Sequence, residues 1–142
     1  MKGMALSETP QRVRAKAQID VEKYEPQAYE TPSGGPELLE IHVAESFSGD
    51  ISGEGKARFL QVVRADGSAS FAGIERVSGD IAGRSGTFVL QDAGTLEGQT
   101  VTGEWFVVPG SGTGGLSGLR GEGGFEAEVG EGATAKLDYW FE

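Results

Sequence analysis

Ser48-Gly49-Asp50-Ile51-Ser52-Gly53 returns thirty residues later as Ser78-Gly79-Asp80-Ile81-Ala82-Gly83. Each copy follows one alternating apolar run and precedes another, so both read as the same strand-end connection, with glycines where φ must turn positive. Between the copies stands Asp66-Gly67, the strongest hairpin signal in the chain, because both central residues of a type I′ turn need φ > 0. It joins the run before it to the run after it. The segment is an antiparallel meander.

Working outward, the same period of two recurs. Val13, Ala15, Ala17, Ile19 and Val21 share one face, with Arg14, Lys16, Gln18 and Asp20 on the other. Further strands are expected at Leu38 to Phe47, Gly55 to Ala65, Ser68 to Val77, Thr87 to Gly94, Thr100 to Val108, Gly121 to Val129 and Ala133 to Phe141. Tyr24 to Pro36, with three prolines, two tyrosines and Gly34-Gly35, reads as a long loop, either a functional rim or a mere connection with aromatic anchors. Met1 to Arg12 is polar and without helical periodicity, a flexible arm ahead of one domain over residues 13–142. About eight short strands with meander connections predict an all-β chain, a single eight-stranded antiparallel barrel with little helix. Closure removes the exposed edges that an open sheet would leave.

The composition excludes several function classes. The 22 acidic against 12 basic side chains, a formal charge of −10, repel nucleic-acid phosphates and anionic lipid. Neither nucleic acid nor a membrane is expected as a partner. No segment reaches the roughly eighteen apolar residues of a spanning helix, and the first eleven residues carry no apolar core of a signal peptide. The absence of cysteine removes thiolate nucleophiles and thiolate metal sites and suits a cytoplasmic address. Association into a homo-oligomer is left open. Gly110, Gly112 and Gly115 match a dinucleotide-binding spacing, but glycines continue at Gly118, Gly121, Gly123 and Gly124, where the motif requires a helix. Gly55-Lys56 lacks the first glycine of a phosphate loop, since Asp50 stands there. The one histidine, His42, lies opposite the Ile41 and Val43 face, and a lone imidazole builds neither a metal site nor a triad with its partners in place. No metal and no cofactor are expected.

Four segments together resemble a known family. They are Phe47 to Gly55, Gly67 to Glu75, Gly83 to Gln91 and Val108 to Gly121, within a likeness that extends from Ile19 to Phe141. The most specific part is Ser111-Gly-Thr-Gly followed by Gly118-Leu-Arg-Gly. The chain resembles the bacterial family numbered 3224 among domains of unknown function. The resemblance implies a small eight-stranded barrel similar to allene oxide cyclase, an architecture shared with plant dirigent proteins and bacterial spirotetronate cyclases. Fold does not dictate function, and the family has no settled activity. After Phe-Val-Leu-Gln, where relatives often carry His, this chain has Asp92.

The candidate site consists of polar groups that alternation places among apolar neighbours. Glu45 shares a face with Ile41, Val43 and Phe47; Gln61 with Phe59 and Val63; Glu75 with Phe71 and Val77; Asp92 with Phe88 and Leu90; Tyr139 with Leu137 and Phe141. A carboxyl buried in an apolar lumen has its ionised form disfavoured, which tunes it for acid or base work near neutrality. Glu45, Glu75 and Tyr139 are therefore the catalytic candidates, and Gln61, Phe71, Phe88 and Asp92 the ligand-binding ones. Glu45, Glu75, Gln61 and Tyr139 are expected to converge toward one mouth, overhung by the Tyr24 to Pro36 loop. The competing reading has Glu45 and Glu75 at strand ends, paired with Arg58, Arg76 or Arg84.

Two functions fit. One is a cofactor-independent isomerase or cyclase that folds a small apolar metabolite inside the lumen. The other is a non-catalytic binding or structural module, favoured if Phe59, Phe71, Phe88 and Phe125 fill the barrel.

Overall fold

The computed structural model describes residues 11–142. The arm expected over residues 1–12 falls outside them except for Gln11 and Arg12. Arg12 is held against Glu122 at 2.6 Å and over the Trp140 ring at 4.3 Å. Eight strands follow in order: β1 (Val13–Glu30), β2 (Glu37–Gly49), β3 (Ile51–Val63), β4 (Ala69–Ile81), β5 (Arg84–Glu97), β6 (Thr100–Val107), β7 (Leu119–Glu128) and β8 (Ala133–Phe141). Each pairs antiparallel with its sequence neighbours, and β8 pairs back onto β1 to close the barrel. The helical content among the described residues is one 3-10 turn, Gly114–Leu116, and no helix is long and apolar enough to cross a membrane.

The barrel has two unlike ends. One gathers the start of β1, the β2–β3 and β4–β5 turns, the long β6–β7 connection and the end of β8. The other gathers the β1–β2, β3–β4, β5–β6 and β7–β8 connections. The first end is closed by a floor of Ile51, Ile81, Phe88, Leu116, Leu119 and Leu137, all at most 2% exposed. The β6–β7 connection is stitched across it. Thr113 N donates to Thr87 O at 2.8 Å and Val89 N to Ser111 Oγ at 3.0 Å, which fixes the connection and sets Leu116 in the core.

Tyr24 to Glu30, expected to lie in a loop, is strand. A bulge at Glu22 shifts the register between Val21 and Lys23, so the inward phase passes from Ala15, Ala17 and Ile19 to Tyr24, Pro26 and Ala28, which oppose Val43, Ile41 and Leu39. One extra residue breaks the alternation that marks a strand in sequence. Pro26 is tolerated because β8 pairs with β1 only as far as Ile19, leaving this half of β1 an edge. The result is a β1–β2 hairpin at the second end, its connection shortened to residues 31–36.

The two Ser-Gly-Asp-Ile copies are not equivalent turns. In the first, the chain reverses at Gly49 (φ 115°) and Asp50; in the second, β4 runs on through Ile81 and reverses at Ala82 (φ 53°) and Gly83 (φ 78°). The copies instead face each other across β3 and β4, with Ile51 opposite Ile81 and Gly53 opposite Gly79. Gly79 is not in a left-handed conformation: a Cβ there would run into Ser52 O of the facing strand, so space requires the glycine. The β3–β4 hairpin forms as expected, but only Gly67 has φ > 0 at its tip. Gly67 N donates to Arg64 O at 2.9 Å, and Asp66 Oδ1 accepts from Ser68 N at 2.9 Å, a wider turn than type I′.

Candidate functional site

Above the floor, the inward residues change from aliphatic to aromatic and acidic. The aromatic rings form a chain of contacts that crosses the lumen: Phe47 on β2 to Trp105 on the opposite strand β6 (6.4 Å between centroids), Trp105 to Phe125 on β7 (5.1 Å), Phe125 to Phe71 on β4 (6.3 Å) and Phe71 to Phe59 on β3 (5.4 Å, edge to face). Glycines on neighbouring strands make room for them. A Cβ at Gly73 would come within 2.6 Å of Phe59, one at Gly94 within 2.6 Å of Phe71, and one at Gly103 would collide with Phe125. The rings lean over these glycines and meet across the lumen. Phe59, Phe71 and Phe125 are half-buried, so above their contacts the second end is a shallow cup open to solvent.

Three carboxyls enter this cup from different strands. Glu45 (β2), Glu75 (β4) and Asp92 (β5) each stand on the inward face, Glu45 half-buried, Glu75 and Asp92 only 1% and 2% exposed. Gly55 on β3, opposite Glu45, leaves the space that the Glu75 carboxyl occupies: a Cβ there would strike Glu75 Oε2 and lie 3.0 Å from Phe47. Glu45 and Glu75 share a hydrogen bond. Burial, then that bond, then the charges of Glu45 and Asp92 push the Glu75 carboxyl well above the usual range. Burial also raises Glu45, partly offset because Glu45 accepts the bond from Glu75. Burial, with the Glu45 charge, raises Asp92 to about 7.

Among the described residues, Glu75 Oε2 and both oxygens of Asp92 are buried without a hydrogen-bond partner. Every described lysine and arginine is exposed except Arg120, which reaches Glu142 at 2.8 Å. Arg58 and Arg76 lie in the outward phase of β3 and β4, and Arg84 stacks over Phe141 at 3.9 Å, so none pairs with Glu45 or Glu75. His42 also points outward, its Nε2 bonded to Glu40 at 2.8 Å. Among the described residues, no group of His, Asp and Glu has the arrangement of a metal site.

The site residues expected from sequence do not all meet. Glu45, Glu75, Asp92 and Phe71 belong to the cup, and Gln61, half-buried between Leu39 and Phe71, lies at its rim. The hairpin of β1 and β2 rises at this rim in place of the expected loop. Tyr139 lies at the opposite end. It pairs with Val13, the first residue of β1, and lines a depression of about 430 Å³ with Asp50, Asp80 and Gly83. Its in-phase position is correct, but β8 runs toward the floor, so the hydroxyl cannot serve the carboxyls. Phe88 is a floor residue at 1% exposure and no part of the cup wall.

Trp105 was missed. It stands opposite Asp92 across β5 and β6, and its Nε1 donates to Lys136 O at 3.0 Å, two strands away, which fixes the indole. Its phase with Gly103 and Val107 was the available signal.

Comparison with known proteins agrees with this architecture. The model of the family described as "Protein of unknown function (DUF3224)" matches residues 15–139. The chain belongs to this family. A crystal structure of a DUF3224 protein of unknown function from Shewanella oneidensis MR-1 is 32% identical, with a TM-score of 0.80, over 93% of this chain and 99% of that one. No match was found among curated proteins. Within this DUF3224 chain, the segment of most specific resemblance, Ser111 to Gly121, builds the floor and its stitching and contributes nothing to the carboxyl cup.

Proposed function

We propose that the cup binds one small, largely apolar molecule and that its carboxyls move a proton on it, as in a cofactor-independent isomerase or cyclase of the kind that a likeness to allene oxide cyclase implies. The observation that carries this reading is the Glu45–Glu75 hydrogen bond beside unpartnered oxygens of Glu75 and Asp92, among aromatic rings at the base of the cup. A carboxylic acid and a carboxylate in contact supply an acid and a base at one pH, and a buried charge without a partner costs stability that a purely structural role does not repay. Asp92, at about 7, is half ionised near neutrality and adds a second group able to accept a proton.

Binding is tested with a neutral fluorophore, N-phenyl-1-naphthylamine. It should brighten with the protein and fail to do so with Gln61→Trp, which fills the rim. Chemistry is tested with cyclohex-3-enone: a carboxylate removes a C2 proton, the double bond shifts into conjugation, and a carboxylic acid returns a proton to C4. Conversion followed by ultraviolet absorbance should exceed that in buffer and be lost in Glu75→Gln, with the variant as stable as the parent or more so. Dye binding without conversion leaves the non-catalytic binding module, which the contact between Phe59, Phe71 and Phe125 also favours. Loss of stability in Glu75→Gln with dye binding intact makes the carboxyl structural.

A further inference from the structure

Asp92 lies beneath the point where the aromatic rings converge. Phe71, Gly94, Gly103 and Phe125 form one row of the register across β4, β5, β6 and β7, and the two rings lean over the two glycines until their centroids are 6.3 Å apart. The next row toward the floor holds Phe59, Gly73, Asp92 and Trp105. Phe59 covers Gly73, and Trp105 is tethered through Nε1 to Lys136 O, so rings flank Asp92 as well as cap it. The carboxyls are sealed: among the described residues, Glu75 Oε2, Asp92 Oδ1 and Asp92 Oδ2 have neither a hydrogen-bond partner nor contact with solvent.

The seal is fixed on one side and loose on the other. Trp105 is buried and anchored by its hydrogen bond, whereas Phe71 and Phe125 are half-buried at the rim and phenyl rings have no hydrogen bond to hold them. Either ring can turn about χ1 toward the open cup without a change of backbone. The cost of staying closed depends on the charge of what lies beneath. A neutral carboxyl is tolerated there, but an ionised one is a buried charge without a partner. The titratable groups that face Asp92 are Glu45 from β2 and Glu75 from β4, both acidic. Near it β3, β6, β7 and β8 present Phe59, Trp105, Phe125 and Leu137, and β1 presents Ala15 and Ala17, none of which titrates. Tyr139 lies at the floor, Tyr24 is exposed on the free half of β1, and the described lysines, arginines and His42 are all outward. Water is the partner that remains, and the ring contact stands between it and the carboxyls.

We propose that this contact is a pH-operated gate: ionisation of Asp92 turns Phe71 and Phe125 apart and admits water, and with it the reacting end of a ligand, to the three carboxyls, whereas the neutral site stays closed. This rests on the reading of the cup as a ligand site and adds the control of access to its chemistry. Burial, with the Glu45 charge, raises Asp92 to about 7 in the closed state, and hydration on opening returns it toward its ordinary 3.8, so the transition falls between these values.

Trp105 reports the gate, because Phe125 lies against it at 5.1 Å and must leave to expose it. With Trp140→Phe as background, Trp105 is the one indole in the chain. Acrylamide should then quench it weakly at pH 5 and with a bimolecular constant roughly threefold higher or more at pH 8.5, while far-ultraviolet circular dichroism shows the barrel intact at both. Asp92→Asn should keep the low value at both pH values, and Phe125→Ala should give the high value at both. Glu45→Gln, which removes a charge that opposes ionisation of Asp92, should move the transition to lower pH, a reading that stands even if the Asn variant folds poorly. A constant that does not change with pH in the parent, or that rises equally in Asp92→Asn, overturns the gate; binding of N-phenyl-1-naphthylamine at both pH values then leaves the cup as a ligand site. A pH-dependent constant without dye binding at either pH keeps the gate and removes the ligand reading.

Discussion

The two halves of this barrel are built from the same alternating strands yet solve opposite problems. The floor buries Ile51, Ile81, Phe88, Leu116, Leu119 and Leu137 almost completely and leaves its polar backbone satisfied by the stitched β6–β7 connection. The cup, a few residues further along those strands, holds half-buried rings around carboxyls whose oxygens are unsatisfied. Burial of apolar area stabilises the first half, and burial of ionisable groups costs the second. Stability is concentrated at one end, and the other is free to carry chemistry.

That contrast can be broken most severely at the floor. Phe88→Ala should cost ~3–5 kcal/mol, whereas Phe71→Ala, at the half-open wall, should cost roughly 1–2 kcal/mol, both read from urea unfolding. Equal losses would show that the cup is packed as tightly as the floor.

Asp92 tests the cost of the cup. Its pKa rises on folding from an ordinary 3.8 to about 7, so between these values the folded chain holds more proton than the unfolded one. Stability from this group therefore falls as pH rises through that window, and the loss is complete above it. Asp92→Asn should raise the unfolding free energy by ~2–4 kcal/mol near pH 8, and the gain should vanish below about pH 4. A variant less stable than the parent at pH 8 would mean that the carboxylate is satisfied after all.

The glycines sharpen the comparison further. Gly79→Ala should cost ~1–3 kcal/mol, because its Cβ meets the backbone of Ser52 at the floor end of β3 and β4. Gly83→Ala meets nothing within 4 Å, yet its φ of 78° is unfavourable for alanine, so a loss of about 1 kcal/mol is expected in thermal melting. Equal effects at the two positions would remove the distinction between a glycine required for space and one required for its backbone angle.

Much of the architecture was legible because it depends on local period and turn chemistry. Alternation in Val13 to Val21, Leu38 to Phe47 and Ser68 to Val77 located strands and their inward faces, and with them the inward placement of Glu45, Glu75 and Asp92. The failures share one cause. A bulge at Glu22 hid half of β1, since a single added residue reverses the phase. The two Ser-Gly-Asp-Ile copies proved to be cross-strand partners, a relation that depends on register. Tyr139 and Gln61 share an inward face but sit at opposite ends, because phase reports which side of a sheet a residue occupies and not how far along the barrel it lies.

The closed antiparallel barrel and its inward side chains are thus written in local pattern, because a two-residue period and glycine-bearing turns act over a few residues. Which inward residues meet is set by how the strands are brought together. Strand register set Glu75 into the space left by Gly55, placed Trp105 opposite Asp92, and kept every described basic side chain outside. Whether a carboxyl is paired or unpaired is a property of atoms brought together from β2, β4 and β5, and no single strand contains it.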